Sequence, residues 1–202
     1  DDQKTVKWFR KAAKQGHAEG QYWLGIIYGS GVGVPKDYKE AAKWHLKAAK
    51  QGHAEGQYWL GIMFKDGTGV TQDDQEAVKW FRKAAEQGHA LGQASLGVMY
   101  KIGLGVKQDN KKAVKWFRKA AEQGHALGQF KLGSMYALGQ GVPQDYEEAY
   151  FWLNMAASQD SQHSDVRDAV NSKLTPEQRA RAQKRAREWK PETNAKIINE
   201  YE

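Results

Sequence analysis

The sequence predicts an all-α fold: a right-handed α/α solenoid (superhelix) of 36-residue helix-turn-helix repeats with a C-terminal capping helix. Three observations carry this. Gln-Gly-His-Ala recurs at Gln15, Gln51, Gln87 and Gln123, 36 residues apart each time. All 21 glycines lie between Gly16 and Gly141, so glycine punctuates one part of the chain and is absent from the rest. Within each period the apolar residues follow helical spacing, broken twice by glycine-bearing turns. One elongated domain follows, with full repeats at 15–50, 51–86, 87–122 and 123–158 and capping helices at 159–202. Residues 1–14 align with the second half of a repeat, Thr5-Val6-Lys7-Trp8 paralleling Ala77-Val78-Lys79-Trp80. The chain thus begins in mid-repeat, and at least half a repeat is expected upstream in the parent gene.

The first helix of each repeat is expected from about Ala18 to Tyr28 and at equivalent positions. The second starts after Asp37, Asp73, Asp109 and Asp145, residues suited to accept the free N–H groups of a helix start. Glu40, Glu76 and Glu148, three residues later, predict reciprocal capping boxes, with Lys112 in that place in the third repeat. Gly-x-Gly-Val closes the turn between the two helices, and Gln-Gly-His the turn between repeats. Gly25, Gly61, Gly97 and Gly133 fall in mid-helix. Glycine costs about 1 kcal/mol there relative to alanine, so its recurrence predicts a helix packed hard against each one. Ala18, Leu24, Gly25 and Tyr28 in helix one, and Ala41, Trp44 and Ala48 in helix two, give the stripes that stacked hairpins bury.

The tail breaks the period. Ser164 is expected to cap a short helix to about Lys173. Thr175-Pro176-Glu177-Gln178 is a strong helix start, followed by a face of Ala182, Ala186 and Trp189. A terminal cap with a polar outer side is the favoured reading, a basic docking helix the alternative. A short helix or ordered extension is expected over 191–202.

Leu24-Gly25-x-x-Tyr28-x-x-Gly31-x-Gly33-Val34-x-x-Asp37, then Ala41-x-x-Trp44-x-x-x-Ala48-Ala49, resembles the Sel-like repeat, an α/α unit related to tetratricopeptide repeats. The resemblance covers 1–158, and the segments around Leu174 and Ala186-Arg187-Glu188-Trp189 resemble tails of bacterial members. It implies adaptor, regulatory or host-interaction roles in bacteria. Gly20, Gly56, Gly92 and Gly128 depart from the alanine usual in the family, which predicts a looser start to each first helix.

Chemistry is hard to assemble from this chain. With no cysteine there is no disulfide, thiolate metal site or cysteine nucleophile. Histidines His17, His53, His89 and His125 repeat, but stacked repeats lie about 10 Å apart, too far for equivalent side chains to share one ion. They are read as bonding the inter-repeat turn, while His45 and His163 stand alone. Gly29-Ser30-Gly31-Val32-Gly33 follows a helix and lacks the Gly-Lys-Ser/Thr of a phosphate loop. Some relatives have been linked to β-lactam chemistry, yet neither Ser-x-x-Lys nor Gly-x-Ser-x-Gly occurs. No catalytic residue, metal or cofactor is assigned, and no apolar run is long enough for a membrane span. Localisation and oligomeric state stay open.

Binding is the remaining reading. The helix-one stripe away from the core holds Glu19, Trp23, Ile26, Ser30, then Glu55, Trp59, Ile62, Asp66, Leu91, Ser95, Val98, Ile102, Leu127, Lys131, Ser134 and Leu138. In related superhelices this stripe lines the concave groove. Many relatives carry asparagine where Trp23, Trp59, Ser95 and Lys131 stand, so an aromatic grip replaces an amide clamp. Glu19, Tyr22, Trp23, Ile26, Glu55, Tyr58, Trp59, Ile62, Leu91, Val98, Leu127 and Lys131 are the candidate partner-binding residues, and the expected partner is another protein or an extended peptide. Burial of these residues by tight curvature is the competing structural outcome. An enzyme or small-ligand site in the Trp-lined groove is the alternative function. Less favoured is nucleic-acid binding by Lys43, Lys47, Lys79, Arg82, Lys83, Lys115, Arg118 and Lys119. The net charge of +7 invites it, but Glu40, Glu76, Glu86 and Glu122 lie within pairing distance.

Overall fold

The computed structural model describes residues 2–192. Its regular structure is helical throughout: α1 (Asp2–Lys14), α2 (Ala18–Ser30), α3 (Tyr38–Lys50), α4 (Ala54–Asp66), α5 (Asp74–Glu86), α6 (Ala90–Ile102), α7 (Asn110–Glu122), α8 (Ala126–Leu138), α9 (Tyr146–Gln159), a 3-10 turn at Ser161–His163, α10 (Ser164–Asn171) and α11 (Pro176–Glu188). The chain forms two compact units, 1–92 with 104–106, and 93–103 with 107–202. Each repeat supplies one pair, from α2/α3 to α8/α9.

Local chemistry sets the boundaries. The Asp37 side chain accepts from the N–H groups of Lys39 (2.9 Å) and Glu40 (3.0 Å), and Asp73, Asp109 and Asp145 cap in the same way. The expected capping boxes do not complete at these sites. The Glu40 and Glu76 carboxylates take Lys43 (2.6 Å) and Lys79 (2.8 Å) instead, and Glu148 takes Arg185. A lysine one turn on offers a charged donor, which a carboxylate prefers to a neutral N–H. Thr175 and Gln178 do form the reciprocal box. Ser164 is the first residue of α10 rather than its cap. Asp160 caps the preceding 3-10 turn, and α10 ends at Asn171.

The mid-helix glycines are close approaches, as their recurrence predicts. A Cβ on Gly25 would lie 2.6 Å from the His45 ring, on Gly61 2.7 Å from Phe81, on Gly97 2.6 Å from Phe117, and on Gly133 2.8 Å from Leu153. The second set corrects the expectation of a looser helix start. A Cβ on Gly20 would lie 2.7 Å from the Ala12 Cβ, and one on Gly128 2.6 Å from the Ala120 Cβ. These glycines let helix one start directly against the preceding helix two. A third contact joins neighbouring turns. Gly69 has φ +74°, and a Cβ there would run into the Tyr38 carbonyl.

Buried glutamines tie these contacts together. Gln21, Gln57, Gln93 and Gln129 are almost fully buried. Gln57 donates to the Ala49 carbonyl (3.1 Å) and accepts from Gln87 Nε2 (2.7 Å). Gln21 does the same with Ala13 and Gln51, and Gln129 with Ala121 and Gln159. Gln93 accepts from Gln123 (2.7 Å). Gln159 therefore still performs the inter-repeat role one residue past the last full period.

In the second unit α11 lies on α9. Arg181 makes a two-pronged bond to Glu147 (2.9 and 2.6 Å), Gln183 donates to the Tyr150 hydroxyl (3.2 Å), and Trp189 meets Trp152 edge-on. Ala182 is buried, as its face requires. The Glu192 N–H donates to the Glu122 carbonyl (2.8 Å). Of the segment expected to be helical or ordered over 191–202, residues 193–202 lie outside the described residues.

Two substitutions measure these constraints by urea unfolding. Gln57→Leu is expected to lower stability by about 1–3 kcal/mol, since it removes the two hydrogen bonds of the buried amide, to the Ala49 carbonyl and from the Gln87 side chain. Gly61→Ala gains about 1 kcal/mol in helix propensity. It is still expected to destabilise, because overpacking against the buried Phe81 costs about 1–3 kcal/mol.

Candidate functional site

The first unit brings most of the candidate residues onto one face. Trp23 and Trp59 are each 39% exposed, and Tyr22, Ile26, Tyr58, Ile62 and Leu91 are half-buried. Curvature therefore does not bury the two tryptophans. Val98, Leu127 and Lys131 are half-buried in the second unit, which carries no tryptophan at the equivalent positions. Burial depresses the Lys131 ammonium below the usual lysine range, with Lys101 nearby adding repulsion, and its Nζ sits 5.4 Å from the Phe130 ring centroid.

Side chains of the first unit hold one another in a chain of rings. Trp23 stacks on Phe9 (5.8 Å) and contacts Tyr22 (5.1 Å), and Tyr22 stacks on His53 (4.9 Å). His45 stacks on Trp59 (6.3 Å), and Tyr58 meets that indole edge-on (5.9 Å). Glu19 binds two members: Trp23 Nε1 donates to its Oε1 (2.5 Å), and His53 Nε2 lies 2.8 Å from its Oε2. His53 Nδ1 accepts from the Gly56 N–H (3.1 Å), so Nε2 carries the proton and donates to Glu19. The hydrogen bond from His53 holds the Glu19 carboxyl below its ordinary range. Glu55 approaches the same imidazole at 3.5 Å.

The repeated histidines share a position but not one role. His53 and His89 accept from the N–H groups of Gly56 and Gly92 at the start of helix one, while His17 and His125 make no such bond. His163 meets Phe130 at a tilt (4.4 Å), where His53 stacks on Tyr22. Among the described residues no group of three or more His, Asp or Glu side chains is placed to hold a metal ion.

Trp59 forms part of the wall of a cleft of about 310 Å³ between α2, α3 and α4. Ile26, Ala41, Trp59, Ile62 and Met63 make it apolar, Gly25 and Gly29 expose helix backbone, and His45 lies in its wall. His45 is 3% exposed, and its Nδ1 has no hydrogen-bond partner among the described residues. Burial, with a smaller contribution from His53, pulls its pKa down to about 4. Its equivalents are Phe9, Phe81, Phe117 and Leu153. Reading His45 as an isolated residue misses this. The available signal was a polar ring at a position the other copies keep apolar. Ser30, Tyr38 and Thr68 complete the lining.

The basic second helices are largely engaged. Lys43 and Lys79 pair with glutamates, Lys47, Lys83 and Lys119 lie over Trp44, Trp80 and Trp116, and Arg118 bonds the Tyr136 hydroxyl.

The family model of the Sel1 repeat matches residues 1–17, 18–53, 54–89, 90–125 and 126–161. The chain belongs to the Sel1 repeat family. A Sel1 repeat protein from Oxalobacter formigenes is 39% identical with a TM-score of 0.76, over 84% of this chain and 49% of its own. A protective antigen, c5321, of uropathogenic Escherichia coli is 28% identical with a TM-score of 0.56, over 93% of this chain and 56% of its own. The immunity protein Pa5087 of Pseudomonas aeruginosa is 27% identical with a TM-score of 0.51, over 76% and 57%. The chain thus spans about half the length of these relatives. No curated protein matches it in a sequence search. Sel1 repeat proteins are generally scaffolds for protein–protein contact and typically non-catalytic. No described helix is long and apolar enough to cross a membrane.

The buried imidazole makes stability depend on pH. The unfolded chain protonates His45 near 6.5 and the folded chain near 4, so unfolding takes up a proton between those values. Folded stability is expected to fall as pH drops from about 6.5 to 4, by about 3 kcal/mol from this group. Thermal melts of His45→Phe, which restores the residue found at Phe9, Phe81 and Phe117, should show a gain over wild type that is larger at pH 4.5 than at pH 7.

Proposed function

We propose that this Sel1 repeat chain binds another protein, as an extended segment lying along the helix-one face of its first unit, with Trp23 and Trp59 as anchors. The exposure of these two indoles on one face, one repeat apart, carries the reading. Large aromatic side chains at a surface are costly to solvate and are favoured interface anchors. Both are also preorganised, Trp23 by Glu19 and Phe9 and Trp59 by His45 and Tyr58, so little rotamer freedom remains to be lost on binding. Glu19 and Glu55 at the rim favour a partner segment with basic flanks. Val98, Leu127 and Lys131 form a candidate surface of the second unit by itself, and α10 and α11 serve as that unit's terminal cap.

The test is affinity capture from the parent organism with wild type and the Trp23→Ala/Trp59→Ala pair, followed by affinity measurement on the captured partner. The double variant should keep its helical signal and lose at least thirtyfold in affinity, the factor for about 2 kcal/mol at one hot spot. Unchanged affinity would overturn the reading.

A further inference from the structure

We infer that the α2/α3/α4 cleft receives one phenolic ring, the side chain of a tyrosine presented by the bound partner, seated against Trp59 with its hydroxyl bonded to the His45 imidazole. This rests on the protein-binding reading of the same face and names what fills its deepest point.

Size and shape come first. At about 310 Å³ the cleft is at the small end of ligand sites and has room for one aromatic ring together with the backbone that presents it. Two departures from the repeat make it. Gly29 stands where Lys65, Lys101 and Ala137 stand in the other copies, and a Cβ added there would meet only the Ala41 Cβ, at 3.8 Å. His45 replaces the larger phenylalanine. Trp59 and Ile62 offer flat apolar walls.

The chemistry comes from His45. An imidazole buried to this degree keeps a polar edge with no partner for Nδ1, and a buried polar group left unpaired is costly enough to need a reason. Nδ1 is sealed under the Gly25 backbone, itself part of the cleft wall, so the hydroxyl is placed on Nε2, the other nitrogen of that edge. A neutral imidazole has one donor and one acceptor. A phenol hydroxyl can donate or accept and so satisfies either tautomer, whereas an indole N–H can only donate and a phenyl ring can do neither.

The test is a nuclear magnetic resonance titration of the chain with N-acetyl-tyrosinamide, N-acetyl-phenylalaninamide, p-cresol and toluene. The tyrosine amide and p-cresol should give saturable shifts at Gly25, Ile26, Gly29 and Ile62, each at least tenfold tighter than its partner lacking the hydroxyl. Gly29→Lys, a residue two other repeats carry here, should remove binding while the fold persists, and so should His45→Phe. Lys107→Ala, an exposed position in the second unit, should leave it unchanged. Equal affinity with and without the hydroxyl, survival of binding in Gly29→Lys, or no binding at all would overturn the inference. Binding of p-cresol without the tyrosine amide would also overturn it, in favour of a free small phenol. None of these readouts involves the captured partner, so failure here is distinct from failure of the double-tryptophan test.

Discussion

A glutamine buried between helices needs partners for both ends of its amide, and Gln21, Gln57 and Gln129 meet that need in the same way. The donor end goes back to a carbonyl near the end of the preceding helix two. The acceptor end goes forward to the glutamine that opens the next inter-repeat turn. Sliding or rotating one hairpin against the next would leave a polar group unpaired in a dry interior, which is costly in a way that loss of apolar contact is not. The amide fixes register, and the alanines and glycines around it let the backbones come close enough for it to reach. Gly20 against Ala12 and Gly128 against Ala120 are consequences of that reach.

A framework held by backbone carbonyls, glutamines and glycines leaves the outward helix-one positions free to vary, and the chain varies them. Trp23 and Trp59 occur in the first unit and Ser95 and Lys131 at the same positions later. The same freedom acts one layer down, where His45 and Gly29 line a cleft and the equivalent positions carry Phe81 with Lys65 and Phe117 with Lys101. The Glu19–His53 bond crosses from one repeat to the next on the first unit's face, so the fold's stacking also positions the side chains of the candidate site. Charge has a smaller part than the +7 suggests, because much of it is spent on carboxylates and on tryptophan faces of the second helices.

Much of the fold was legible because the repeat states each constraint four times. Asp at each helix-two start, glycine at each turn and glycine in each mid-helix are local requirements, and local requirements leave local signatures. Capping boxes at Glu40 and Glu76 misled because spacing shows which groups can meet, not which stronger partner intervenes. The glycines at positions 20, 56, 92 and 128 misled similarly. Taken singly, a glycine near a helix start means flexibility; its neighbour's Cβ, which turns it into a close approach, lies in another helix.

The sequence by itself determined the helical repeat, its period, its punctuation and the stripe on which Trp23 and Trp59 stand, since all of these follow from residue type and spacing along the chain. Only the tertiary structure decided that these indoles reach solvent, that Glu19 and His53 hold one face together, and that His45 lies buried in the wall of a cleft. Exposure, pairing and cavity shape depend on what the neighbouring hairpin places opposite each side chain. That distance across the stack is the quantity a periodic pattern does not contain.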